Sequence, residues 1–148
     1  MTKHRVDILA CVIVISFAVV GCASVPMAGA NADAAAKTFV DPTDGRANLY
    51  VYRNESFGAA IKMTLLLDNM AIGDTAAHTY VFQQITPGKH VLVSKTEKDA
   101  SLEIDTQAGM NYFVWQEVKM GAFAARSALH SVDSKTGEDA VKGCKLIQ

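Results

Sequence analysis

From Ala47 onward, apolar and polar residues alternate in short runs separated by turn residues, the period of two that half-buried strands require. Leu49 and Val51 alternate with Asn48, Tyr50 and Tyr52, predicting a first strand rich in β-branched and aromatic residues. Ile61, Met63, Leu65 and Leu67 make one face of a second, and Asp68-Asn69 is a tight turn into a short return strand, Met70 to Ile72, that ends at Gly73. Thr79 to Ile85 follows, stopped by Thr86-Pro87-Gly88, where Pro and then Gly fit a type II turn. His90 to Thr96 runs back with Val91 and Val93 expected inward, and Glu97-Lys98-Asp99 turns the chain into a strand whose apolar face is Leu102 and Ile104. Gln107-Ala108-Gly109 leads into Met110 to Val118, aromatic on both faces and so expected centrally, and Arg126 to Val132 is the last strand. The tail reads as a short helix with Thr136 and Asp139 as an approximate capping pair. Ala140, Val141, Cys144 and Ile147 share one side of it, and Gly143 weakens it by about 1 kcal/mol relative to Ala. Seven or eight short strands with turns at this spacing predict an antiparallel β-sandwich with a short C-terminal helix over residues 47–148.

Two earlier stretches break the pattern. Ile8 to Val20 is a continuous apolar run, behind Lys3 and Arg5 and ahead of Gly21-Cys22. It is shorter than the roughly 20 residues a membrane span needs, and its basic start, apolar middle and small residues before a cut site mark residues 1–21 as a secretory signal. Val19-Val20-Gly21-Cys22 resembles the lipobox of bacterial lipoproteins. The resemblance implies cleavage between Gly21 and Cys22, lipid on the Cys22 sulfur and acylation of the freed amine. Residue 23 is Ala rather than the Asp that retains enteric lipoproteins at the inner membrane, so the expected location is the outer membrane, facing the periplasm. The second stretch, Ala23 to Arg46, is Ala-rich and broken by Pro26, Gly29, Pro42 and Gly45. A helical turn around Asn31 to Lys37 would offer no apolar face, so residues 22–46 are expected to be a lipidated cysteine and a flexible tether, with a span of roughly 25–30 Å.

Charge and cysteines narrow the partners. The formal net charge of −1 is spread in mixed sign with no basic block, which argues against nucleic acid. Cys11 lies in the signal, Cys22 is the lipid site, and Cys144 is expected as a small buried apolar residue. His78, His90 and His130 lie in separate segments without metal-ligand spacing, and there is no Gly-x-Ser-x-Gly elbow, so no metal, cofactor or catalytic set is expected. Tyr50, Tyr52 and Arg53 invite a binding reading, as a contact patch for a protein or glycan; the alternative is that this face packs beneath the tail helix or another strand. Trp115 and Phe113 are read as core.

The series Ala47-Asn48-Leu49-Tyr50-Val51-Tyr52-Arg53, Leu67-Asp68-Asn69 with Ile72-Gly73, Pro87-Gly88-Lys89-His90 and Gly109-Met110-Asn111-Tyr112-Phe113 is similar to the small bacterial lipoproteins grouped as domain of unknown function twenty-eight-forty-six. These are related in style to PEGA-type β-sandwich modules, and the likeness runs from about Arg46 to Ile147, with Asn69 where Gly is expected. It implies a fold and an address and carries no catalytic residues. The expected function is therefore a non-enzymatic interaction or structural module, bound to membrane lipid through its acyl chains and open to an envelope protein. The other reading is an enzyme or small-molecule carrier that gathers residues such as His78, His90 and Glu117 into a pocket.

Overall fold

The computed structural model describes residues 23–148. The predicted signal and its boundary, Gly21 and Cys22, lie outside the described residues. The described chain is mainly β. It runs α1 (Ala30–Ala36), β1 (Ala47–Arg53), β2 (Met63–Leu67), β3 (Met70–Thr75), β4 (Thr79–Ile85), β5 (Gly88–Lys95), β6 (Ala100–Thr106), β7 (Asn111–Lys119), β8 (Arg126–Val132), α2 (Ser134–Lys142) and β9 (Lys145–Leu146). There are two sheets, one of five strands in the order β8-β7-β1-β4-β9 and one of four in the order β3-β2-β5-β6.

The strands follow the period-two pattern closely, with β4 and β8 at their expected bounds. Asp68 and Asn69 have φ of 50° and 67°, the left-handed pair that a two-residue hairpin turn demands, so Asn does there what Gly would do. The pairing is less uniform than expected. β1 lies parallel to β7 and β4 parallel to the two-residue β9, so the five-stranded sheet is mixed, and β9 raises the number of strands in the described chain to nine.

All seven residues of β1 are buried, because its sheet is covered on both faces. On one face, Leu49 and Val51 join Val81 and Val114 of the same sheet and Leu65, Leu92 and Ile104 of the other in one apolar cluster. On the opposite face, Tyr50, Tyr52, Tyr80 and Phe113 pack with Val141 and Cys144, at the end of the α2 segment, and with Ala36 of α1. Phe113 stacks on Tyr50 with centroids 4.9 Å apart and planes 13° from parallel.

The inward face of β5 is opposite to the one expected. His90, Leu92 and Ser94 are buried, whereas Val91 is 41 % exposed. A one-residue change of register exchanges the two faces of a strand, and here the polar residues on the buried face have partners. Ser94 Oγ accepts from Gln116 Nε2 at 2.7 Å, and Gln116 Oε1 accepts from Thr75 Oγ1 at 2.5 Å, a buried polar bridge between the two sheets. With those bonds made, Ser94 can be buried at little cost and Leu92 gains the core.

Two further expectations are corrected at the ends. The α2 helix begins earlier: Asp133 is its N-cap, its Oδ1 accepting from the Thr136 amide at 3.0 Å, so Thr136 lies within the first turn. The segment after Cys22 is folded onto the body rather than forming a flexible tether. Val25 is buried in the inter-sheet cluster, Met27 bridges to Ile147, and the Ala28 amide donates to the Leu146 carbonyl at 2.9 Å. Asp33 secures α1: its Oδ1 accepts from the Leu146 amide at 2.9 Å and from the Tyr80 hydroxyl at 2.9 Å, and its Oδ2 from Lys37 Nζ at 2.8 Å. Burial works to raise the Asp33 pKa, but the bonds from Lys37, Leu146 and Tyr80 outweigh it and hold the carboxylate below its ordinary range. The Ala-rich stretch is held by these polar bonds together with the apolar contacts of Val25, Ala36 and Phe39.

Candidate functional site

The residues from which an enzyme could be assembled are divided among separate clusters. His78 Nε2 lies 2.9 Å from Ser56 Oγ. His90 lies between Asp68 Oδ2 and the Thr86 carbonyl, each 2.7 Å from a ring nitrogen. Glu117 pairs with His130 at 2.8 Å and with Lys119 at 3.2 Å. His78, His90 and Glu117 thus each have different partners, and no group of three or more metal-ligating side chains occurs among the described residues. Cys144 is 1 % exposed, and burial pushes its thiol pKa up to about 11, away from the thiolate that nucleophilic chemistry needs.

The Tyr50, Tyr52 and Arg53 patch is corrected, because none of the three reaches the surface: they are 1 %, 2 % and 0 % exposed. The tyrosines lie under α1 and α2, with the Tyr50 hydroxyl donating to the Ala36 carbonyl at 3.0 Å and burial raising its pKa to about 12. Trp115 is half-buried and donates through Nε1 to Glu55 Oε2 at 3.0 Å.

Arg53 has a different role, which the sequence does not signal. Its guanidinium is enclosed by the loop joining β1 to β2, donating from Nη1 to the Ile61 carbonyl at 2.7 Å and from Nη2 to the carbonyls of Gly58 at 2.5 Å and Phe57 at 3.3 Å. Its Nε has no partner among the described residues. Burial draws its pKa down, and the neighbouring charge of Glu55 partly restores it. Glu55 then ties the loop to β7, accepting from the Val118 amide at 2.5 Å as well as from Trp115.

The hairpin between β7 and β8 is organised by the opposite charge. The Glu97 carboxylate accepts from the amides of Ala122 and Phe123, each at 3.2 Å, and from Arg126 Nε at 2.9 Å, while the Glu97 amide donates to the Ala125 carbonyl at 3.2 Å. A Cβ at Gly121 would stand 1.8 Å from the Ala124 oxygen and 2.2 Å from Glu97 Oε2, so this close turn requires glycine. The two loops meet around a groove of about 290 Å³ lined by Phe57, Ile61, Val118, Met120 and Phe123 among others. Phe57, Met120 and Phe123 are 52 %, 81 % and 97 % exposed. The Ala23 amide donates to the Ala59 carbonyl of the first loop at 2.8 Å, so the start of the described chain lies beside this apolar edge. Sequence reasoning missed the edge because its three apolar residues come from two loops far apart in the chain.

Mainly β, with two sheets, helices over one face and an apolar edge shaped by Arg53 and Glu97, the molecule matches a family known by its sequence. The model for the protein family of unknown function DUF2846 matches residues 43–128, and the chain belongs to that family. The match covers both edge loops and β1 through β7, reaches into the start of β8, and ends before α2. A relative from Haemophilus influenzae, described as an uncharacterized protein, is 35 % identical over 121 residues, covering 81 % of this chain and 72 % of that one. No solved structure matches.

Proposed function

We propose that this protein is a lipid-anchored lipoprotein of the bacterial cell envelope, with its two sheets packed as a PEGA-like β-sandwich that acts as a non-enzymatic interaction or structural module. The observation that carries the reading is the order of residues at the start: Lys3 and Arg5, the apolar run to Val20, then Gly21-Cys22. Acylation of Cys22 would hold the module to a bilayer, and several acyl chains at about 0.8 kcal/mol per buried CH₂ anchor stably where a single chain does not. Ala23 favours the outer membrane, with the module facing the periplasm and membrane lipid as its first partner. The separate partners of His78, His90 and Glu117 support a module over an enzyme or carrier, and the near-neutral mixed charge favours an envelope protein over nucleic acid as any second partner. Metabolic labelling with a palmitate analogue in the producing cell tests the anchor. Wild type should incorporate label into the membrane fraction and Cys22→Ser should not; equal labelling of the two would remove the reading.

A further inference from the structure

Apolar side chains as exposed as Phe57, Met120 and Phe123, gathered at one edge, mark a contact surface. The position of Ala23 indicates the occupant. Ala59, which receives the Ala23 amide, is two residues past Phe57, and Cys22 is one residue before Ala23. Standard backbone dimensions then keep the Cα of Ala23 within about 15 Å of that of Phe57. We propose that this edge is the membrane-facing side of the protein, with Phe57, Met120 and Phe123 inserted into the bilayer interface beside acylated Cys22. This rests on the lipid-anchor reading above.

The physics favours lipid at this place. An anchored domain bonded into its own body one residue after the anchor cannot move far from the bilayer, so the surface nearest the anchor is held against lipid at high effective concentration. Apolar groups at such an interface sink about 5–10 Å into the headgroup and acyl boundary. Both loops are already shaped, by Arg53 on three carbonyls and by Glu97 on two amides and Arg126, so the apolar tips are displayed without ordering on contact. The two phenylalanines and the methionine supply the second membrane contact that complements an acyl anchor.

The test uses the full chain, purified from membranes and reconstituted into phosphatidylcholine vesicles in which some lipids carry a nitroxide on the acyl chain. The fluorophore NBD is attached at Phe123→Cys or, for reference, at Met70→Cys, a 73 % exposed position at the start of β3. Cys144 is buried and does not compete for the label. The expected result is co-flotation with vesicles, with NBD at 123 losing about half its emission or more to the nitroxide and NBD at 70 keeping nearly all of it. Flotation without quenching at 123, equal quenching at both positions, or shielding of 123 from both lipid and aqueous iodide, as against a second copy, overturns the membrane-facing edge and leaves the anchor standing. Failure to float, with Cys22→Ser behaving the same way, overturns the anchor and the edge together.

Discussion

His90 shows how far one residue can depart from its sequence pattern. Both ring nitrogens face acceptors, Asp68 Oδ2 and the Thr86 carbonyl, and only the doubly protonated ring can donate to both. Burial lowers the His90 pKa, but the bonds to Asp68 and Thr86 outweigh it, and the net shift is upward. The bonds from His90 and the Val91 amide lower that of Asp68. A raised histidine stabilises the fold fully below its unfolded value of about 6.5 and loses that contribution as pH rises through its folded value. A lowered aspartate contributes fully above about 3.9 and loses it as pH falls through the folded value. The pair therefore stabilises most between about pH 4 and 6.5. The melting temperature of His90→Gln should fall furthest below that of wild type near pH 5.5 and approach it at pH 9; a gap that stays constant with pH would mean that the ring is not charged. The same position explains a misreading. Alternation made Val91 and Val93 the inward pair, because nothing in the sequence marks Asp68, Thr86 or Gln116 as partners for the buried His90 and Ser94. Arg53 was hidden for a similar reason: its partners are backbone carbonyls, which leave no trace in residue type.

At the scale of elements, the strands were legible because half-buried strands impose a period of two, and Asp68-Asn69 named its turn through the conformations those residues tolerate. The helices were less so. The α2 cap was placed at Thr136 because Asp133 precedes Ser and Lys rather than an apolar run. Gly143 drew attention as a weak point, yet it is the C-cap, where an added Cβ meets only the Ala140 carbonyl oxygen at 3.5 Å. Gly137 matters more. A Cβ there would lie 2.2 Å from Phe113 Cγ, and that ring is fixed by its stack on Tyr50 and its edge contact with Phe39. Helix propensity alone predicts that Gly137→Ala stabilises by about 1 kcal/mol. Overpacking against an aromatic core costs about 1–3 kcal/mol, and at so close an approach packing should win, leaving a net loss of up to about 2 kcal/mol. Urea denaturation compares Gly137→Ala with Gly143→Ala. The first midpoint should fall and the second should hold or rise slightly; a rise for Gly137→Ala would show that α2 can lift from β7.

For the molecule as a whole, what matters is where the folded body begins. The proposed anchor rests on a charged start, an apolar run and Gly21-Cys22 standing adjacent in sequence. The apolar edge was not legible, because Phe57 lies far in sequence from Met120 and Phe123 and only tertiary folding brings the three to one exposed groove. The stretch between Cys22 and β1 was misread because an Ala-rich segment shows no apolar stripe, while its actual restraints are Asp33, the strand-like bridge at Met27 and the Ala23–Ala59 bond. With the proposed anchor, a tether would let the domain move roughly 25–30 Å from the bilayer, whereas a docked segment would hold it at the surface. Hydrogen exchange on the intact protein separates these directly, because a backbone amide in a flexible chain exchanges freely and one in a folded unit is protected. The account predicts that the amides of Ala28, Lys37 and Ala23 are protected, the first two approaching the level of β1; complete exchange of all three at the earliest time point, with β1 still protected, would contradict it.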